Sequence, residues 1–128
     1  MGGIWPVHCI MNSYGHALHR ELDVQAQDIQ ILKGMNPKFD SYSAFKDDGG
    51  EETDIISLIK HFDINEVDIC GLASEYCVAF TAQDAIELYL KTTIIKDACR
   101  CIDIKAEEET FFDLAEIGVN FKTSKEVI

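Results

Sequence analysis

The sequence predicts an α/β domain with a mostly parallel sheet. Two observations carry that prediction. From Thr53 onward, apolar and β-branched runs alternate with stretches of helical periodicity. The chain has 128 residues, of which 47% are hydrophobic, enough for one domain, residues 1–128, to bury a core without disulfides or metal.

Taken in order, Met1-Gly2-Gly3-Ile4-Trp5-Pro6 reads as a loop that continues through Val7-His8-Cys9 to Gly15. A short helix is expected around Leu18–Leu22. Ile29–Lys33 reads as a strand closed by Gly34. Met35–Gly50, with Pro37 and a closing Gly49-Gly50, reads as a long loop, and such loops in compact domains are usually functional. Thr53 is expected to cap a helix whose apolar face is Ile55, Ile56, Leu58, Ile59 and Phe62. Val67–Leu72 is the next strand. A bend at Ala73-Ser74-Glu75 leads into a helix that starts close to Cys77 and runs to Leu90, burying Val78, Ala82, Ala85 and Ile86. Thr92–Lys96 is a β-branched strand. Lys105–Ile117 is an amphipathic helix with Phe111, Leu114 and Ile117 inward and Gly118 as its stop. Val119–Phe121 begins a last short strand.

The formal net charge of −12 argues against nucleic acid and anionic membrane as partners, and says little about a small neutral substrate. Cys9, Cys70, Cys77, Cys99 and Cys101 are odd in number and lack a framework spacing, which suggests a reducing compartment. No stretch reads as a signal peptide or bilayer span, so the cytoplasm is the default location.

Chemistry concentrates where the Val67–Leu72 strand meets its helix. A thiol in the first helical turn beyond the carboxyl end of a strand sits near unpaired N–H groups and partial positive charge. Both favour a thiolate and can hold an oxyanion. Open α/β sheets place ligands at that end of their strands. Cys77 is therefore the candidate nucleophile, with a buried structural cysteine an equally weighted reading of position alone. Lys33 ends a predicted strand at the same crevice and is suited to stabilise negative charge there; a solvated strand-end lysine is the plainer reading. His8 has a side chain that suits zinc or iron, although a lone histidine beside proline is more often structural. His16 and His19 read as surface residues, and Cys99-x-Cys101 as incidental. Trp5 and Tyr42 sit in loops that can sandwich a flat ring, or simply cover core.

Together, WPVHC at Trp5–Cys9, LKG at Leu32–Gly34, FDSYSAF at Phe39–Phe45, GLASEYCV at Gly71–Val78, TAQDA at Thr81–Ala85 and KDACR at Lys96–Arg100 cover nearly the whole chain. In this order they resemble the nicotinamidase branch of the isochorismatase-like cysteine hydrolases. The resemblance implies a three-layer αβα, Rossmann-like domain that hydrolyses nicotinamide to nicotinate and ammonia in NAD salvage. It implies Cys77 as nucleophile, Lys33 as catalytic lysine, His8 as one metal ligand, and Trp5 and Tyr42 as ring-stacking residues. It also implies a cis peptide at Leu72-Ala73 and an oxyanion hole from the N–H groups of Ala73 and Cys77. The implied cofactor is a divalent metal, zinc first, with iron or manganese as alternatives. A homo-oligomer is compatible with this reading.

The sequence departs from that pattern in two places. The family opens with a strand carrying an aspartate base in a D-x-Q pattern, and a second strand supplies metal ligands in a D-x-H pattern. Asp28-Ile29-Gln30 spells D-x-Q, but on an extended strand at ~3.3 Å per residue Asp28 falls roughly 16 Å from Lys33, too far for the base. The expectation is an N-terminally incomplete domain with an incomplete metal site, inactive alone. Where the family favours glycine after the nucleophile helix, this chain has Tyr89-Leu90. The alternatives are a non-catalytic remnant acting in binding or oligomerisation, and a related amidase or isochorismatase with another substrate.

Overall fold

The computed structural model describes residues 5–127; Met1–Ile4, part of the predicted N-terminal loop, and Ile128 lie outside the described residues. The chain divides into two compact units, Met1–Gln30 and Ile31–Ile128. No helix among the described residues is long and apolar enough to cross a membrane.

The smaller unit has a single 3-10 turn at Tyr14–His16 among its described residues. The helix expected at Leu18–Leu22 is absent. The Leu22 N–H instead closes a turn on His19 O at 2.9 Å. Leu18 and Leu22 are both exposed, and a five-residue helix with no face to bury is not stable in water. The strand expected at Ile29–Lys33 is likewise irregular backbone, with Ile29 and Leu32 exposed. Apolar spacing alone does not make a strand without a ladder partner.

The larger unit contains α1 (Ile55–His61), β1 (Glu66–Leu72), a π-helical turn (Ser74–Val78), α2 (Ala79–Glu87), β2 (Lys91–Arg100), α3 (Ile104–Glu116), β3 (Asn120–Lys122) and a closing 3-10 turn (Ser124–Glu126). The sheet has the order β1-β2-β3, with both pairs parallel. This is the predicted α/β class. β2 extends further than the predicted Thr92–Lys96, and its register against β1 shifts between Ile69↔Ile94 and Gly71↔Cys99. Among the described residues β1 ends the sheet, and its residues alternate between exposed and half-buried, as expected of a strand covered on one face.

Two apolar clusters hold the unit together. One gathers Val78, Ala79, Ala82, Ile94, Cys99, Leu114 and Val119; the other gathers Phe45, Ile56, Ala85 and Leu90. The predicted inward positions of α2 are thus buried or half-buried. Two predicted inward residues are not: Phe62 follows the end of α1 and is exposed, and Ile117 is exposed at the end of α3. Val119 takes the inward place instead. Gly118 (φ 102°) donates to Ala115 O and Val119 N to Leu114 O, a Schellman stop that folds Val119 back onto Leu114 in the core. Thr53 does less capping than expected. Asp54 is the N-cap of α1, and the Thr53 hydroxyl donates to Ala44 O at 2.6 Å.

α2 ends in the same motif: Tyr89 N donates to Ile86 O and Leu90 N to Ala85 O. Here the left-handed position is filled by Tyr89, φ 60°, which is almost fully exposed. A side chain in that conformation costs about 1 kcal/mol and this one packs on nothing that offsets it. Tyr89→Gly is therefore expected to raise stability by about 1 kcal/mol in urea titration, and an unchanged or lower midpoint would contradict the strain argument.

The closing turn is tied to β2 by Asp97, whose carboxylate accepts from the Ser124 hydroxyl at 2.6 Å and the Ser124 N–H at 2.7 Å. These bonds, the hydroxyl first, hold the Asp97 carboxyl below the usual aspartate range. A depressed folded value means the contribution is present above the unfolded value and lost as pH falls through the folded one. Amide exchange at Ser124 should accordingly accelerate on acidification below the ordinary aspartate range, beyond the change seen at α3 amides. Equal pH dependence at both places would rule the tie out.

Candidate active site

Gly71 (φ 128°) closes the useful part of β1, and the Leu72–Ala73 peptide that follows is cis, as the resemblance implies. The chain then turns straight into the π-helical Ser74–Val78, so the helical run begins three residues ahead of Cys77 rather than at it. Ala73 O accepts from both Tyr76 N (3.0 Å) and Val78 N (3.2 Å). A π turn inside a helical run is frequent at functional sites. It places Cys77 in the first helical turn beyond the carboxyl end of a parallel strand, half-buried.

Lys33 reaches the same point although its strand is absent. Its Nζ lies 3.5 Å from Cys77 Sγ and also donates to Ser41 O. Gly34, φ 70°, turns the chain immediately after it, in a conformation that favours glycine. A cation this close to sulfur stabilises negative charge there. Among the described residues, no Asp or Glu side chain hydrogen-bonds the Cys77 thiol. Glu75, two residues before it, accepts with Oε1 from Ile102 N (2.7 Å) and Asp103 N (2.8 Å), and its Oε2 is buried with no hydrogen-bond partner among the described residues.

Tyr42 is buried and stacks on Phe80 (centroids 5.2 Å apart) and Tyr76 (6.0 Å), both from the Cys77 helical run. The sequence reading missed these two rings, and it missed Thr81, whose hydroxyl donates to Cys77 O and accepts from Ala44 N. Trp5 and His8 belong to the smaller unit, where Trp5 is half-buried and exposed His8 has Nδ1 2.6 Å from Pro6 O. Asp28 is occupied locally, its carboxylate accepting from Gln25 N at 2.8 Å.

The chain belongs to the isochorismatase domain family, whose model matches residues 2–126. It is 38% identical to the nicotinamidase of Escherichia coli over 122 residues, 93% of this chain and 57% of that protein. A solved nicotinamidase/pyrazinamidase of Acinetobacter baumanii matches it with a TM-score of 0.90 at 32% identity, over 97% of this chain and 61% of that one. A pyrazinamidase of Pyrococcus horikoshii in complex with zinc matches with a TM-score of 0.84 at 30% identity, over 94% and 64%. The chain is a homologue of nicotinamidases with the isochorismatase-like α/β fold, and spans about three-fifths of the length of these relatives.

Zinc in that relative raises the question of a metal here. Among the described residues, no three His, Cys, Asp or Glu side chains gather into a group able to hold an ion. His8 alone does not fit a catalytic zinc site, which takes three protein ligands. No chemical step is assigned to a metal in this chain.

The thiols differ in their surroundings. Burial pushes the Cys99 thiol up, and at Cys101 desolvation and then the Glu107 carboxylate do the same. A raised value leaves less thiolate at a given pH, and thiolate is the reactive form. Iodoacetamide near neutral pH is expected to label Cys77 first and Cys99 and Cys101 last, with the latter two catching up only as pH rises. Site-resolved mass spectrometry reads the order, and Cys9 or Cys99 labelling ahead of Cys77 would count against the nucleophile assignment.

Proposed function

We propose that this chain carries the nucleophile and its lysine for a nicotinamidase-type amidohydrolase. The observation that carries the reading is the Lys33 ammonium 3.5 Å from the Cys77 thiol, at a strand-to-helix turn of a nicotinamidase homologue. The Cys77 thiolate attacks the carboxamide carbon of nicotinamide. The N–H groups of Ala73 and Cys77 receive the oxyanion, and Lys33 offsets the charge that moves from sulfur to oxygen. The C–N bond then breaks, nitrogen takes a proton and ammonia leaves. Water hydrolyses the thioester, giving nicotinate and restoring the thiol. Tyr42 is assigned to the pyridine ring; for Trp5 and His8, in the smaller unit, the ring-stacking and metal-ligand roles are what the resemblance implies. On this reading the protein is a small-molecule enzyme of NAD salvage, with the cytoplasm as its proposed location.

The proton inventory limits what the chain does by itself. Deprotonating Cys77 calls for a general base and protonating the leaving nitrogen for a general acid, and no carboxylate hydrogen-bonds the thiol among the described residues. General acid–base help is worth about 10²–10⁴-fold. A second reading, a non-catalytic chain acting in binding or oligomerisation, draws on β1 ending the sheet among the described residues and on its exposed Leu72.

An ammonia-release assay on purified residues 1–128 separates these readings. Turnover of the chain alone is expected to be negligible. It should rise by at least about 10²-fold when a segment bearing D-x-Q and D-x-H is fused ahead of residue 1. Cys77→Ala should abolish the restored activity while leaving thermal unfolding nearly unchanged. Robust release from the chain alone, lost in Cys77→Ala, would overturn the requirement for a carboxylate base. Release that survives Cys77→Ala would overturn the nucleophile assignment, and none under any condition would leave the binding reading standing.

A further inference from the structure

The thiol and the carbonyl of Cys77 are joined to one loop from two sides. On the thiol side, Lys33 Nζ lies 3.5 Å from Sγ and donates to Ser41 O. On the carbonyl side, the Thr81 hydroxyl donates to Cys77 O at 2.6 Å and accepts from Ala44 N at 3.0 Å. Ser41 and Ala44 are three residues apart in the same segment. The bonds therefore close a ring that runs Cys77, Lys33, Ser41, Ala44, Thr81 and back to Cys77.

A threonine four residues along a helix often back-bonds to the carbonyl behind it, and that bond alone means little. The second bond is different, because Ala44 is 37 residues away and belongs to another element. A hydroxyl has one proton to give and lone pairs to receive. Thr81 gives its proton to Cys77 O and receives the Ala44 N–H, so both capacities are used on the two sides of the ring. The far side of the same residue is fixed as well, since Ala44 O accepts from the Thr53 hydroxyl at 2.6 Å. Thr53 holds the loop toward α1; Thr81 holds it to the nucleophile turn.

We propose that Thr81 is a positioning residue, whose hydroxyl fixes the Ser41–Ala44 segment against the nucleophile turn and so holds the Lys33 ammonium at the Cys77 thiol. This rests on Cys77 as the nucleophile. A role confined to folding stability predicts that losing the hydroxyl loosens the whole chain. A positioning role predicts that it changes the reactivity of one thiol, and only while Lys33 is present.

The test measures iodoacetamide labelling of each cysteine against pH in wild type, Thr81→Val, Thr81→Ser, Lys33→Met and Lys33→Met/Thr81→Val. Thr81→Val is expected to slow Cys77 labelling near neutral pH by about tenfold, as does Lys33→Met. The double variant should be no slower than Lys33→Met alone, because both changes remove one interaction. Thr81→Ser should stay within about twofold of wild type, since it keeps the hydroxyl. Cys77 labelling in Thr81→Val at the wild-type rate, faster labelling of all five thiols, or additive losses in the double variant would each overturn the proposal. Should Thr81→Val not fold, amide exchange in wild type decides. Protection of the Ala44 N–H comparable to α2 amides supports the link, and exchange at open-loop rates overturns it. None of these readings uses substrate. Failure of nicotinamide hydrolysis would therefore leave them standing, and turnover with unaltered Thr81→Val labelling would defeat the positioning role alone.

Discussion

The larger unit depends on how closely α2 lies against the sheet. Val78, Ala79, Ala82 and Ala85 form the buried side of the helical run, and Ala82 and Ala85 have no exposed surface at all. Small side chains let helix and strand backbones approach, and a core packed to crystal-like density leaves no room for larger ones. Once that face is fixed, the rotation of the helix is fixed, and with it the direction of Cys77. The thiol is half-buried because its neighbour Val78 points fully into the core. The π turn matters for the same reason. An extra residue in the first turn shifts every earlier side chain around the helix, so it sets where Cys77 points relative to Val78.

A chain with a net charge of −12 must also place its carboxylates where they do not repel one another to no purpose. Several serve as acceptors for backbone N–H groups that secondary structure leaves unpaired. Asp47 Oδ1 accepts from Gly49 N and Glu51 N, Asp103 from Ala106 N at the start of α3, and Glu126 from Thr123 N. Glu75 does this for the turn leading into α3. Its Oε1 joins the turn that bears Cys77 to the start of α3, while its Oε2 is buried with no hydrogen-bond partner among the described residues.

What the sequence made legible follows the same division between local and distant causes. The strand β1, the helix with its buried Val78, Ala82 and Ala85, and the glycine stop of α3 were readable, because spacing and turn chemistry act within one element. Ile29–Lys33 and Leu18–Leu22 were misread because their patterns need a partner surface, which propensity does not reveal. Ile117 was placed inward by periodicity, but Gly118 ends the helix and hands that position to Val119. The strand-end reading and the resemblance both put Lys33 at the Cys77 crevice, and the lysine arrives there from irregular backbone rather than from a strand. Thr81 lay within a motif already singled out, yet its significance depends on Ala44, and nothing in one sequence connects the two.

The loop that bears Ser41, Tyr42 and Ala44 is held by two kinds of force, and they do different work. Tyr42 stacked on Phe80 and Tyr76 supplies attraction of about 0.5–1.5 kcal/mol per pair beyond area burial. Stacked rings tolerate sliding, so they bring the loop to the helix without fixing its register. The two threonine bonds, to Ala44 N and to Ala44 O, are directional and set its register. Lys33 gains its place from the second kind, because its ammonium is anchored on Ser41 O, three residues from Ala44. Apolar contact alone would assemble a thiol near a cation. A separation as short as 3.5 Å between Sγ and Nζ requires the loop to have one register, and that comes from hydroxyl and peptide groups rather than from the core.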